Sequence, residues 1–488
     1  MLGSDKLANA ASAALKGALW SGIGQWGAAM IGLSAFVINA RILGPATIGT
    51  NALAISLVAL GNMVVSGVLV EALIQRKNLT AEERSAGFWI SAPFGVLGPL
   101  LFLVAAMFVP GKVGEILPWC ALAIPLNAFA AAPVALLMRD LRFRALSTVE
   151  LIAIMVSSVS GVGMALNGFG VYSLVIMELI RLSIRCVGVY VVSAYRPGAI
   201  PNRDVLKSVA RFGAGGLLLS LISTVQQQTP RIAIGYWLGE EALGIFALAT
   251  RLLRAISGFV LAPLGSVAMS ITGRLQDDHE TLRALYLQSI QFVSVVAIPC
   301  FFGLAAVAPI LIPLAIGETW SAAVVPTQIL LLLGLRLAMT SNYVAVLRGI
   351  GETRSPLIVQ LVAAMIVLVG TPLAVPLGLL AVVMVLVTRS LATWPIGAYF
   401  LRQKIGIGFA DQIKAGMGAA VASAIMALVV SLWIHQTQPF LGDWARMMSG
   451  IAIGVVLYSA FLFVFERTLI LSVLNRMKSP TQSAQQTG

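Results

Sequence analysis

The chain has 488 residues, of which 59% are hydrophobic and only 10% charged, with a mean hydropathy of +0.95. No water-soluble fold needs that balance, so the composition specifies an integral membrane protein. The formal net charge of +13 would suit nucleic-acid binding in a soluble domain, but here the basic residues sit in short loops between apolar segments, which the positive-inside rule explains and which leaves no nucleic-acid partner.

Residues 1–16 read as a cytoplasmic amphipathic lead on the inner membrane surface. Lys6 and Lys16 precede an apolar stretch long enough to span, which predicts a retained anchor rather than a cleaved signal. Fourteen spans follow, each near the ~20 residues a bilayer crossing takes. The first six lie near 17–39, 46–70, 87–109, 116–138, 146–167 and 170–194. Six more lie near 209–234, 242–270, 287–314, 322–347, 356–377 and 379–400, and the last two near 413–434 and 447–470. The segment 476–488, rich in Ser, Gln and Thr, reads as a disordered cytoplasmic tail.

The loops test that count. With the amino end cytoplasmic, the inner segments hold 22 Lys and Arg, and the outer loops hold only Arg41, Lys112 and Arg446. A missed span would invert the pattern from that point onward, so the expectation is a multi-pass protein with both termini cytoplasmic.

A short duplication organises the spans. LGPATIGTNALAISL at 43–57 returns 195 positions later as LGEEALGIFALATRL at 238–252, with seven of fifteen positions identical. Both copies open the second span of a six-span set, which predicts two like halves facing each other. The expected division is an N-lobe at 17–200, a C-lobe at 201–405, and two extra helices at 406–475.

Conventional reaction chemistry is missing from the sequence. Cys120, Cys186 and Cys300 lie in or beside apolar segments without metal-ligand spacing, and His279 and His435 are far apart. The run Asp277-Asp278-His279-Glu280 reads as a solvated loop, since nothing nearby completes a coordination shell. There is no Walker loop, dinucleotide fingerprint or nucleophile elbow, so no cofactor is expected and catalysis is not indicated.

The informative residues are seven arginines inside the spans: Arg181, Arg185, Arg231, Arg251, Arg254, Arg336 and Arg389. A charge at the bilayer centre costs about 2.5–3.5 kcal/mol on insertion scales, so such residues should face protein or a wet interior. Glu150 and Glu178 are the clearest acids available within the spans. More buried cations than anions predicts a cavity suited to something negative. Arg251 and Arg254 are three apart and share a helix face, as do Arg181 and Arg185, four apart. The run Gln226-Gln227-Gln228-Thr229-Pro230-Arg231 is too polar to face lipid. Simpler roles stand beside these. Glu178 and Arg181, three apart, could neutralise each other, Arg185 and Arg231 could snorkel to the surface, and Gln25 suits a helix contact as well as a cavity.

Five stretches together resemble a known family. They are ARILGPATIGTNALAISL at 40–57, EALIQRKNLT at 71–80, MRDLRFRAL at 138–146, GYWLGEEALGIFALATRLLR at 235–254 and LRGIGETRSP at 347–356. Their order and spacing resemble the Wzx-type polysaccharide flippases of the multidrug/oligosaccharidyl-lipid/polysaccharide exporter superfamily, nearest the colanic-acid exporter branch. The resemblance implies two pseudo-symmetric six-helix lobes around a central cavity, two extra helices and alternating access, in an all-α polytopic protein. It also implies a substrate, an oligosaccharide repeat unit on undecaprenyl pyrophosphate, moved from the cytoplasmic to the periplasmic leaflet of a bacterial inner membrane. Membrane lipids, with the polysaccharide polymerase and export machinery, are the implied candidate partners. Such sequences often carry an acidic residue just before the position of Arg231. Here that residue is Pro230, so an ion-coupling role is not carried over to it.

The arginines and the resemblance point to the same ligand group, a pyrophosphate, which guanidinium groups bind through forked hydrogen bonds. The expected pyrophosphate contacts are Arg251, Arg254 and Arg336, followed by Arg181 and Arg389. Gln25, Gln226, Gln227, Gln228 and Arg231 are candidates for the headgroup or sugar, and Glu150 and Glu178 for ion coupling. The alternatives are a multidrug antiporter or lipid II flippase of the same superfamily, and a membrane glycosyltransferase. A drug antiporter wants an anionic cavity, and a transferase wants acids on a large outer loop; this chain offers neither.

Overall fold

The computed structural model describes residues 4–75, 79–261, 279–340, 343–352 and 354–465. Among these, every regular element is a helix. The longest is α1, Ser4–Gln75, which holds the first two predicted spans. They are separated by a kink at Gly44, whose φ of 75° and ψ of 171° only glycine adopts without strain, followed by Pro45.

Next come α2 (Ala81–Ala106), α3 (Gly111–Ala121) and α4 (Ala123–Arg139), the latter two forming one crossing, then α5 (Phe143–Leu166) and α6 (Val171–Ser193). Thr80 caps α2 with a full capping box closed by Glu83. Then α7 (Arg203–Ala233) passes through a π-helical turn to Gly239, and α8 (Glu240–Ile256) follows. The remaining helices are α9 (His279–Ile316), the broken crossing α10–α12 (Val324–Leu332, Gly334–Met339, Tyr343–Gly349), α13 (Arg354–Ala374), α14 (Leu379–Ile405), α15 (Phe409–Gln436) and α16 (Asp443–Phe465).

Eleven helical segments of the described residues are long and apolar enough to cross a membrane. The segment Trp26–Met63 covers parts of two predicted spans. The other two predicted spans are α6, which carries Glu178, Arg181 and Arg185, and α7, which carries the glutamine run. The chain is an all-α polytopic membrane protein, and its fourteen expected crossings each have a helix.

The outer faces are apolar. On α2, Leu97, Leu100, Leu101 and Val104 are each more than half exposed. In lipid such a face needs no cover, because the helix satisfies its own backbone. The described residues pack into two compact units. One is Met1–Arg251 with Leu357–Arg389, and the other is Leu252–Pro356 with Ser390–Gly488. A core of the second runs along α9 and includes Tyr286, Phe301, Met339, Trp394 and Leu401.

The duplicated stretch is reproduced in three dimensions within the first unit. Gly239, the counterpart of Gly44, has φ 90° and ψ 172°, nearly the Gly44 values. Five residues on, Gly49 and Gly244 also correspond, and each sits where a side chain cannot. A Cβ on Gly49 would overlap the Glu240 carbonyl, and one on Gly244 would overlap the Pro45 carbonyl. Pro45 and Glu240 are themselves counterparts, so the contact is reciprocal, as a local two-fold requires. The Thr50 hydroxyl donates to the Glu240 carboxylate across the same crossing.

Candidate substrate-binding site

In the first unit α5 and α6 run side by side and bring four of the charged span residues together. Arg181 donates through Nε and Nη2 to the two oxygens of Glu178, at 3.0 and 2.6 Å, and through Nη1 to Glu150 at 2.8 Å. Arg185 lies 3.4 Å from the second oxygen of Glu150. Two acids and two bases balance. Arg181, expected at the pyrophosphate, is thus held in a fork by Glu178, and both ion-coupling candidates, Glu150 and Glu178, are its partners.

Beside this cluster is a cavity of about 80 Å³, bordered by Asn51, Asn62, Asn127, Cys120 and Glu178, roomy enough for a few waters. The asparagines were not singled out from the sequence. A signal existed, since Asn51 and Asn62 are eleven residues apart, which is three helical turns and one face.

Arg251 lies on α8, the helix that the second copy of the repeat opens. Its Nη2 donates to the Gly32 carbonyl at 2.9 Å, and its guanidinium lies 4.3 Å from the centre of the Phe36 ring. Both partners belong to α1, in the same unit. A carbonyl and a π face together orient a guanidinium. Arg254, three residues on, is exposed and makes no hydrogen bond or ion pair among the described residues.

Arg336 is in the second unit, on the short helix α11. Its Nη1 donates to Ser390 Oγ and its Nη2 to Thr393 Oγ1, each at 3.2 Å. Arg389 is half-buried on α14, immediately before Ser390, and packs with the first unit.

The glutamine run lies in the last turns of α7. Gln226 is buried, Gln227 is exposed and donates to Ser223 Oγ at 3.0 Å, and Gln228 holds a buried amide oxygen without a hydrogen-bond partner among the described residues. Pro230 lies inside α7, four residues before the π-helical turn, and leaves the Gln226 carbonyl without its usual helical donor. Arg231 is half-buried at the same end. The side chain of Gln25 lies outside the described residues, as do Asp277 and Asp278. Among the described residues no three His, Cys, Asp or Glu side chains form a metal-binding group.

Outside the spans, Glu352 closes the loop before α13. Lys404 binds it at 2.9 Å, and the backbone N–H groups of Arg354 and Ser355 donate to it at 3.1 and 3.2 Å. Lys404 first, then the Ser355 amide, hold its carboxyl down at about 2.

A family profile described as "Polysaccharide biosynthesis protein" matches residues 38–325. The chain is similar to the succinoglycan biosynthesis transport protein ExoT of Rhizobium meliloti (strain 1021), with 25% identity over 480 residues covering 96% of each chain. It is also similar to the lipopolysaccharide biosynthesis protein WzxC of Escherichia coli (strain K12), with 23% identity over 333 residues, 66% of this chain and 67% of that one. Among solved structures, the lipid II flippase MurJ in its inward closed conformation superposes with a TM-score of 0.76 at 16% identity, covering 93% of this chain and 99% of that one. At that identity the likeness shows the fold alone.

Proposed function

The chain belongs to the family of polysaccharide biosynthesis proteins, and from that membership we propose that it is a flippase for an oligosaccharide repeat unit carried on undecaprenyl pyrophosphate. It works as a transporter and not as an enzyme, moving the unit from the cytoplasmic to the periplasmic leaflet of a bacterial inner membrane. The similar proteins named for transport in succinoglycan synthesis and for lipopolysaccharide synthesis support this reading. The excess of inner-loop Lys and Arg supports cytoplasmic termini.

The observation that carries the proposal is the surplus of cation over anion within the spans. Seven arginines lie there, and the clearest span acids, Glu150 and Glu178, are already engaged by Arg181 and Arg185. In this reading Arg251, Arg254 and Arg336 bind the pyrophosphate, with Arg389 in support, while Arg181 keeps a charge-balanced helix pair together. Gln226 to Gln228 contact the headgroup, the prenyl tail stays in lipid, and an N-lobe (17–200) and a C-lobe (201–405) rock to alternate access. Ion coupling, if used, enters through Glu150 or Glu178 next to the asparagine-lined cavity.

Deletion of the gene should cause undecaprenyl-linked repeat units to build up on the inner leaflet. Complementation with Arg251→Ala, Arg254→Ala or Arg336→Ala should restore protein abundance but not polymer output. Normal output from all three variants would remove the arginines from the mechanism. A failure to accumulate lipid-linked sugar, with lipid II accumulating instead, would assign the related lipid II activity.

A further inference from the structure

The chain between α6 and α7 joins the two predicted lobes, and the structure ties it down. α6 is closed by Ala194, whose φ of 51° is left-handed. Tyr195 then packs with Leu79 and Phe88 against Ala132 and Ala135 of α4, and its hydroxyl donates to the Arg84 carbonyl of α2 at 3.0 Å. Three residues on, both sides of Gly198 are held by α2. The Gly198 N–H donates to Ser85 Oγ at 3.0 Å, and the Trp89 indole N–H donates to the Gly198 carbonyl at 3.1 Å. Ser85 and Trp89 are four apart, so one face of α2 grips one residue of the linker. A Cβ on Gly198 would meet Ser85 Oγ at 2.6 Å, so the approach calls for glycine.

The beginning of α7 is docked on the same helix. Val209 is 1% exposed and packs on Ala86 of α2, with Ile90, Val205 and Leu206 around the contact. Between these anchors, Arg196 to Ile200 are exposed, on the side that the loop charges assign to the cytoplasm. Water competes there for every backbone group, and a single hydrogen bond within its reach is weak. The bonds at Arg84, Ser85 and Trp89 act together because the segment is anchored in apolar contacts at Tyr195 and again at Val209. A loop that had to swing freely would leave its backbone to water. α7 is one helix from Arg203 to Ala233, so a position imposed on its first turns is passed along it to the glutamine run.

We propose that residues 194–209 are a strap that keeps the cytoplasmic end of α7 fixed to α2 throughout the transport cycle. Strap, α2 and α7 all belong to the first unit. The joint between the rocking lobes then lies beyond residue 209 and not in the linker, and a movement of α2 is carried along α7 to Gln226, Gln227 and Gln228. The strap stands without the flippase reading; its place in a transport cycle rests on it.

The test uses the full-length protein in proteoliposomes, with a lipid-linked pyrophosphate donor as cargo and amide hydrogen exchange over 194–202 as a second readout. Ser85→Cys and Gly198→Cys are introduced together, because a Cβ on Gly198 would lie 3.7 Å from that of Ser85, a spacing that suits a disulfide. Copper phenanthroline in air closes the bond and dithiothreitol opens it. The oxidised pair should transport at the wild-type rate, since the strap has no need to open. Trp89→Phe with Tyr195→Phe keeps an aromatic ring at both positions and removes two donors. It should speed exchange over 194–202 by about tenfold and slow transport several-fold at equal abundance. Adding the oxidised cysteine pair to that variant should restore protection and transport, and the reduced pair should restore neither. A disulfide that halts transport reversibly, or wild-type exchange and transport in the double phenylalanine variant, overturns the strap. Protection of 194–202 that is lost and restored in these variants, in a protein that moves no lipid-linked donor, leaves the strap standing and removes the flippase reading.

Discussion

Arg181 and Arg251 both lie inside predicted spans, yet their neighbours give them different work. Glu178 and Glu150 surround Arg181 with opposite charge, whereas Arg251 is held by the Gly32 carbonyl and the Phe36 ring. Removing one member of a buried ion pair strands the other. Arg181→Ala should therefore destabilise the folded protein by about 2 kcal/mol, less than a fully buried pair because the side chains are partly exposed. The loss should appear as a lower melting temperature in detergent and lower abundance, with export per folded molecule nearly preserved. Changing Arg181 and Glu178 together to Met should recover part of the stability. If Arg181→Ala instead melts like the wild type and abolishes export, Arg181 returns to the cargo site. The sequence offered this pairing as one of two readings, because residues three apart on a helix meet. It was silent about Gln412, a buried side chain whose Oε1 accepts from the indole N–H of Trp394 at 2.8 Å. The amide becomes unusual only through Trp394, eighteen positions away across a turn, and no local pattern marks such a pair.

At the scale of elements, the repeated stretch explains why its glycines recur. Gly44 and Gly239 break the chain into two helices at matching positions, and Gly49 and Gly244 let those helices cross with backbone against backbone. A carbonyl cannot step aside as a flexible side chain can. Gly49→Ala and Gly244→Ala should each cost about 3 kcal/mol, near the upper end for overpacking. Both should lower the yield of folded protein and the thermal midpoint. Gly163→Ala is the control, since nothing lies within 4 Å of its would-be Cβ, and it should be neutral or stabilise by up to about 1 kcal/mol through helix propensity. Similar losses at all three glycines would mean that the crossing is not special. The pairing of the two repeated stretches was readable because identity at two glycines survives where a Cβ cannot fit. The reciprocity of the contact was not readable, since one-dimensional spacing says nothing about which carbonyl each glycine meets.

For the whole molecule, apolar length and loop charge carried most of the information. Fourteen spans could be counted because each inner loop is basic, even where three charges interrupt α6 and a glutamine run interrupts α7. The same physics bears on what drives transport. In the proposed cycle the arginines stay near the middle of the membrane while the lobes rock, so the charge that crosses the field is that of the headgroup. Two negative charges moving outward across 100 mV, inside negative, would gain about 4–5 kcal/mol. In proteoliposomes loaded with a lipid-linked pyrophosphate donor, an inside-negative potassium diffusion potential should therefore speed outward movement several-fold. Collapsing that potential should remove the gain. A rate indifferent to potential would mean that a cation travels with the headgroup and cancels its charge. The cavity beside Glu178 would then be the place to seek it, because Asn51, Asn62, Asn127 and Glu178 bring oxygen ligands to its border. Asn51→Leu should in that case abolish ion dependence while leaving binding of the pyrophosphate headgroup intact.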